Sequence, residues 1–313
     1  MELSQLLPKV EENVTLAPFT TFKIGGPAQY LFRAKTTEDV KEAIGAATKI
    51  GMPFFILAGG SNVLVSDEGF NGLVILMENM EWTIENATAT AGAGVSVSTL
   101  VKETGNRGLS GLEWAGGLPG SVGGAVRGNA GAFGGETKDS VVSVGILDEN
   151  KEVRTLSNKE CEFGYRTSIF KKKNLIVLSA TFELKEGNKE EIERVAVSNI
   201  EHREKYHPLE YPNAGSMFKN SDLKNVPPEV QEQFKDAIKV DPFPVLPTAA
   251  LIAEAGIQGM KEGSAQVSEK HPNYIVNLGG AKADDVLTLV KKVKSMIKDK
   301  YGVELEEEVQ YIS

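Results

Sequence analysis

The sequence predicts an α+β protein of more than one domain, and three observations carry that prediction. Two successive stretches, residues 1–79 and 80–204, each mix strand-type and helix-type patterning around a glycine turn. The strand-rich run from 140 to 184 lacks the repeated strand–helix alternation of a doubly wound sheet. The last third changes texture again, with short elements separated by prolines and closed by one long amphipathic helix and a strand. A length of 313 residues allows a sizeable core and about two domains or more.

The elements follow in chain order. Leu3, Leu6, Leu7 and Val10 stand at helical spacing, which predicts a short amphipathic lead-in over 1–14. A turn-rich loop at 20–26 leads to a strand at 28–34, where Tyr30 and Phe32 share a face. Thr36 opens a helix with Asp39 three residues on, an imperfect capping box, and Val40, Ala43, Ile44 and Ala47 form its buried stripe. The strands 53–57, 63–66 and 73–77 surround the turn Ala58-Gly-Gly-Ser-Asn62. From Trp82 apolar and Thr/Glu positions alternate, and Val97, Leu100 and Val101 mark a helix closing near Gly105.

The stretch 116–136 is too glycine-dense for a core element. Further strands fall at 141–147, 152–156 and 175–184, then a helix to about Glu204 with Ile192, Val195, Ala196 and Ile200 in register. Pro208, Pro212, Pro227, Pro228, Pro242, Pro244 and Pro247 punctuate helices at 230–238 and 249–255 and a strand at 274–278. A long helix from Ala283 buries Val286, Leu289, Val290, Val293, Met296 and Ile297 and stops at Gly302, before a strand at 308–312. There is no internal repeat.

Composition excludes several classes. Lys+Arg of 34 against Asp+Glu of 43 gives a net charge of −9, and the only tight basic run, Lys171-Lys172-Lys173, reads as a solvated turn. Nucleic acid is therefore not an expected partner. The single cysteine, Cys161, excludes an intramolecular disulfide and a cysteine-based metal cluster, and fits a reduced cytoplasm. No apolar run approaches the roughly 20 residues that cross a bilayer, so a cytoplasmic protein without membrane insertion is expected. His202, His207 and His271 are not at ligand spacing, and no metal is expected.

The glycine stretch 116–136 is the first functional candidate. Glycines let a ligand lie against backbone, where successive N–H groups can converge on an anion such as a pyrophosphate. A flexible linker is the competing reading, but Leu118, Val122, Ala125, Val126, Ala130, Ala132 and Phe133 place apolar anchors among the glycines. Gly92-Ala-Gly94 is nearly a dinucleotide fingerprint, yet Val97 takes the third glycine position. No phosphate-loop lysine sequence occurs. The glycine turns around Gly59-Gly60 and in 116–136 suit a dinucleotide held between subdomains, with the cofactor carrying the redox chemistry.

Three other stretches carry candidates. Arg166, between Tyr165 and Phe170, offers a planar fork for a carboxylate, with a structural ion pair as the alternative. The run 213–220 resembles a tight turn presenting Ser216, or equally a cap. Glu306, Glu307 and Glu308 form an acidic run of the kind that is commonly solvated.

In order, Thr20-Thr-Phe-Lys-Ile-Gly-Gly26, Ala58-Gly-Gly-Ser-Asn62, Gly117-Leu-Pro-Gly-Ser-Val-Gly-Gly124, Asn129-Ala-Gly131, Tyr165-Arg166-x-Ser168-x-Phe170, Gly215-Ser216 and Glu308-Val309 together resemble the UDP-N-acetylenolpyruvoylglucosamine reductase family. The resemblance runs from about Thr20 to the last residue. It implies a two-subdomain, vanillyl-alcohol-oxidase-like FAD-binding fold, with subdomains at 1–79 and 80–204. A C-terminal α+β substrate-binding domain at 205–300 and a strand at 301–313 returning toward the active site would complete it.

It also implies non-covalent FAD, held by Ala58, Gly59, Gly60, Ser61, Asn62, Gly117, Pro119, Gly120, Ser121, Gly123, Gly124, Asn129 and Gly131. NADPH would reduce the flavin, and hydride from flavin N5 would reach the enolpyruvyl double bond of UDP-N-acetylglucosamine enolpyruvate, giving UDP-N-acetylmuramate for peptidoglycan synthesis. By the same resemblance Ser216 is the proton donor, Arg166 and Glu308 steady the enolate-like intermediate, and Tyr165, Lys219, Asn220 and Glu254 meet the substrate. A monomer is expected.

The sequence departs from the family at Phe133, where a Tyr is usual, and at Lys205-Tyr-His-Pro208. The stretch 182–216 is too short for the extra tyrosine loop of the longer subtype. Two other readings compete: another oxidoreductase of the same FAD superfamily, and a non-catalytic UDP-sugar-binding protein. Covalent flavin attachment would need a His or Cys that the glycine turns lack, and the joint presence of Arg166, Ser216 and Glu308 disfavours a binding protein.

Overall fold

The computed structural model describes residues 2–240 and 243–313, so Pro242 lies outside the described residues. The chain divides into two compact units. The first takes residues up to Val14, Ala28–Gly59 and Asn71–Arg203, and the second takes Thr15–Pro27, Gly60–Phe70 and Glu204–Ser313.

In the first unit one sheet has the strand order Glu11–Thr15, Pro27–Ala34, Phe70–Met77, Phe54–Leu57, the last two running parallel. Leu73, Ile75 and Met77 share a core with Val40, Ala43 and Ile44 of the helix Thr37–Lys49. That helix begins with a complete capping box: Thr36 Oγ1 accepts from Asp39 N–H at 3.1 Å, and the Asp39 carboxylate accepts from Thr36 N–H at 2.9 Å. The expected lead-in helix is cut to Leu3–Leu6, and Glu11–Thr15 is a strand. Pro8 explains the difference, because the residue before a proline is driven out of the helical region, and Leu7 sits at φ −134°.

The second sheet of this unit is antiparallel, in the order Val153–Ser157, Val141–Leu147, Ile176–Glu183, Thr88–Gly92, Trp82–Glu85. Against it lies an element that glycine content hides, the helix Val122–Gly128. Each helical glycine costs about 1 kcal/mol relative to Ala, yet Ser121 caps the helix by accepting from Gly124 N–H, and Val122 and Val126 enter the core. Gly123 is required for closeness, since a Cβ there would stand 2.7 Å from Ala93 Cβ.

The helix Lys189–Tyr206 buries Ile192 and Arg203 and leaves Ile200 exposed, unlike the expected apolar stripe. Its contact is made by backbone instead: a Cβ on Gly116 would lie 2.4 Å from Ala196 O.

The second unit has its own core beneath an antiparallel sheet ordered Asn213–Ser216, Tyr274–Asn277, Ala265–Val267, Lys261–Glu262. The helix Ala283–Tyr301 packs on it through Val286, Leu289, Val290, Val293 and Ile297, and Gly302 ends it at φ +65°. Met296, expected in that stripe, is exposed. Phe22, Ile24 and Leu64, from the two early segments, join this core. The closing strand Gln310–Ile312 pairs in parallel with Val63–Val65. Among the described residues no helix is long and apolar enough to cross a membrane.

Candidate functional site

Within the first unit, the turn at Gly59 and the turn before the helix Val122–Gly128 meet backbone to backbone. A Cβ on Gly59 would fall 2.6 Å from Gly120 Cα, so only glycine allows the approach. Gly117 and Gly120 hold φ of +70° and +105°. The N–H groups of Gly59, Gly117 and Gly120 donate to no backbone carbonyl among the described residues. By contrast, Val122 and Gly123 donate to Val95 O and Ala93 O, and Gly124 donates to Ser121 Oγ. The open amides therefore belong to the turns, and Ser121, Gly123 and Gly124 build the support behind them.

Asn129 ends the helix in the left-handed region, at φ +44°, fully buried. Its amide donates to Glu136 Oε2 at 3.1 Å and Gly164 O at 3.0 Å, and its Oδ1 accepts from Lys138 N–H at 3.0 Å. One side chain thus ties three loops together. Gly131, two residues on, accepts from Arg166 Nη2 at 3.0 Å. The Arg166 guanidinium also stacks on Tyr165, 5.3 Å from the ring centre, and its backbone is left-handed at φ +53°. Buried Ser168 anchors the same loop by donating to Arg127 O at 2.7 Å, and Phe170 is buried beneath it. The spacing Tyr-Arg-x-Ser-x-Phe thus reads as two contact residues, an anchor and a core plug.

Gly92 and Gly94 serve packing. A Cβ on Gly92 would meet Asn79 O at 2.3 Å, and Asn79 Oδ1 accepts from Gly94 N–H at 2.7 Å while its amide donates to Leu178 O.

The second unit carries Ser216, and it lies on a strand, where the sequence suggested a turn or cap. Asn213 stands opposite Val276 and Ser216 opposite Tyr274, so the Ser216 strand holds one extra residue, with Gly215 at φ +79°. This is a bulge, the device that re-aims a side chain beside a functional site. It turns Ala214 into the core and puts Ser216 on the Tyr274 face. The Ser216 residue is half-buried, and its hydroxyl makes no hydrogen bond among the described residues. The next residues are clamped by Asn273, 4% exposed, whose Oδ1 accepts from Phe218 N–H and whose amide donates to Phe218 O.

Glu308 joins this group through backbone. Its N–H donates to Met217 O at 2.8 Å, and its carbonyl accepts from Asn62 Nδ2 at 3.1 Å. Ser216, Glu308 and the Gly60–Asn62 end of the early glycine turn are therefore linked inside one unit. Lys219, expected to meet the substrate, is ion-paired with Glu306. Asn220 Oδ1 accepts from Thr248 N–H at 3.3 Å. Glu254 is exposed at the end of the helix Thr248–Glu254, its carbonyl accepting from Lys300. Thr21, within the first of the quoted motifs, donates its hydroxyl to Asn213 O at 2.7 Å. Asn273 was not picked out in the sequence, and only its long-range bonds to Phe218 mark it. Among the described residues no cluster of three or more His, Cys, Asp or Glu could hold a metal.

Residues 28–157 match the FAD binding domain family, and residues 207–312 match the UDP-N-acetylenolpyruvoylglucosamine reductase C-terminal domain family. The UDP-N-acetylenolpyruvoylglucosamine reductase of Anoxybacillus flavithermus is 40% identical over 306 residues, covering 97% of this chain and 94% of that one. The chain belongs to the UDP-N-acetylenolpyruvoylglucosamine reductase family. The enzyme of that name from Lachnoclostridium phytofermentans is 39% identical over 310 residues, covering 97% and 93%. The crystal structure of the Thermus caldophilus reductase superposes with a TM-score of 0.77 at 34% identity, covering 97% of this chain and 99% of that one.

The chain is accordingly an FAD-dependent oxidoreductase of peptidoglycan synthesis, an α+β protein with an FAD-binding domain and a reductase C-terminal domain. The residues fit the cofactor: the Gly59–Gly120 approach leaves no room for side chains, and the amides around it suit an anionic pyrophosphate.

Proposed function

We propose that this chain reduces the enolpyruvyl group of UDP-N-acetylglucosamine enolpyruvate, giving UDP-N-acetylmuramate, with NADPH as electron source and as a cytoplasmic monomer. The relatives' name supports the substrate class. The observation that carries the chemistry is Ser216, a half-buried hydroxyl without a hydrogen-bond partner among the described residues, aimed by a bulge and one residue from the Met217 carbonyl that accepts from Glu308 N–H.

Bound FAD supplies the two-electron hydride chemistry that no side chain here can perform. Gly59, Gly117 and Gly120 would hold its pyrophosphate through their amides, with Ala58, Gly60, Ser61, Asn62 and Pro119 completing the turns. Hydride arriving at the terminal enolpyruvyl carbon drives an electron pair toward the substrate carboxylate. The Arg166 guanidinium, fixed by Gly131 and Tyr165, neutralises that growing charge and so lowers the transition state more than the ground state. Ser216 then gives its proton: the O–H bond breaks, a C–H bond forms at the carbon next to the carboxylate, and the alkoxide recovers a proton from solvent. Glu308 steadies the same intermediate by hydrogen bonding, protonated or through water.

An anaerobic visible spectrum tests the reading. The yellow protein should bleach with NADPH and recover with the enolpyruvyl sugar nucleotide. The Ser216→Ala variant should bleach normally and recover at least a hundredfold more slowly; recovery at the wild-type rate would remove Ser216 as donor.

A further inference from the structure

Three aromatic rings that the proposed chemistry does not use meet at Tyr274, the residue opposite Ser216. Tyr274, the residue opposite Ser216 in the sheet, is 6% exposed. Residues directly opposite in an antiparallel pair project from the same face with Cβ atoms about 5 Å apart, so the Tyr274 ring walls one side of Ser216. The far end of that ring is tied down: Tyr274 Oη lies 3.0 Å from His207 Nδ1. The His271 ring stands edge-on to both, 4.7 Å from Tyr274 and 5.2 Å from His207. His271 is itself held in a tight turn, its N–H donating to Ser268 Oγ and its carbonyl accepting from Tyr274 N–H.

The Ser216 hydroxyl has no hydrogen bond among the described residues, so its direction is set by what surrounds it. On the face it shares with the opposite strand, that neighbour is the Tyr274 ring. His207 also opens the segment that becomes the Ser216 strand, where Asn213 Nδ2 donates to Pro208 O and Tyr211 O. The His207–Tyr274 bond is one of the ties around the strand pair in which Ser216 sits, beside Asn277 N–H donating to Pro212 O. It joins the incoming chain to the opposite strand.

We propose that Tyr274 and His207 are positioning residues for Ser216, acting through the Tyr274 Oη–His207 Nδ1 bond. The proposal rests on Ser216 being the proton donor. It assigns the pair no proton transfer. Loss of the bond frees the Tyr274 ring to tilt and widens the directions open to the Ser216 hydroxyl, which slows proton delivery while leaving substrate and nicotinamide binding alone.

The test uses the FAD-loaded full chain and follows flavin reduction by NADPH and reoxidation by UDP-N-acetylglucosamine enolpyruvate separately, by stopped flow. Tyr274→Phe keeps the ring and removes the hydroxyl, and His207→Leu removes its hydrogen-bond partner. Each should slow reoxidation about five- to twentyfold, with KM changed less than twofold and flavin reduction unchanged. The pair together should be no slower than either alone, because one bond is lost in all three. His207→Asn, which keeps a polar partner, should recover most of the rate.

In a Ser216→Ala background, Tyr274→Phe should have no further effect. A further slowing there, additive single variants, or a change confined to KM would overturn the positioning role. Wild-type reoxidation by Ser216→Ala would instead overturn the donor reading beneath it, whereas a collapsed Ser216→Ala beside an unaffected Tyr274→Phe would overturn only this proposal.

Discussion

The side-chain amide of Asn62 donates to the backbone carbonyl of Glu308 at 3.1 Å, across 246 positions of sequence. Gln310 N–H returns a bond to Asn62 O at 3.1 Å, so the early glycine turn and the closing segment hold each other at two points. Glu308 N–H then reaches Met217 O, next to Ser216. A residue of the early glycine turn, the proposed glutamate and the neighbour of the proposed proton donor thus share one hydrogen-bonded chain.

Asn62→Ala should therefore do more than loosen a turn. Loss of a partly buried amide–carbonyl bond costs about 1 kcal/mol of stability, readable as a lower urea midpoint. Because the same bond fixes Glu308, flavin reoxidation by the substrate should slow about tenfold at unchanged NADPH reduction. An unchanged reoxidation rate would separate Asn62 from the Glu308 geometry.

The close approach of Gly59 to Gly120 gives a sharper steric prediction. Gly59→Ala places a methyl 2.6 Å from Gly120 Cα, and neither backbone can yield without opening the turn. The variant should purify nearly colourless, with FAD affinity weakened at least tenfold in reconstitution titrations. Gly128→Ala is the contrast, since its Cβ would meet nothing within 4 Å at the end of a helix. It should retain FAD and gain about 0.5 kcal/mol of stability.

Cys161 is fully buried, and burial first, then the charge of Glu160, pushes its thiol up to about 11. A thiol with that pKa has almost no thiolate at pH 8. Native protein should resist maleimide for hours, as read by intact mass, and react stoichiometrically in denaturant. Fast labelling of the folded protein would show that the pocket opens.

His271 gives the pH dependence a sign. Burial lowers its pKa, nearby Lys239 adds to the effect, and a backbone hydrogen bond partly opposes it. Lys270, beside it, is paired with Glu210. The unfolded imidazole takes up a proton near its ordinary value of about 6.5, while the folded one does not until lower pH. Unfolding therefore binds protons, and this contribution to stability falls as pH drops from about 6.5 toward the folded value. His271→Gln should lose less stability than the parent between pH 8 and pH 5.5 in urea titrations. Equal losses would exclude the group.

Much of the fold was legible because local chemistry and packing agreed. Thr36 with Asp39 and the stripe ending at Gly302 each mark an element whose cap, period and burial point the same way. The helix Val122–Gly128 was not, because its stability comes from a close approach to Ala93 that glycine content alone disguises. The strand Asn213–Ser216 escaped for a related reason: its Asn, Gly and Ser are turn residues, and a bulge with a left-handed glycine is what makes them strand. Arg166 and Ser216 could be named from their motifs. Asn273, which clamps the residues after Ser216, could not, since a support is defined by contacts made tens of positions away.

The pairing of Val63–Val65 with Gln310–Ile312 sets a schedule for synthesis. On the ribosome, Thr15–Pro27 and Gly60–Phe70 emerge early, but the core they join is made only when residues 204–313 follow. Until then Phe22, Ile24 and Leu64 have no permanent place to hide, and such exposed apolar segments invite aggregation and chaperone capture. A chain lacking Gln310–Ile312 would present an open strand edge at Val63–Val65, next to the segment that carries the proposed catalytic glutamate.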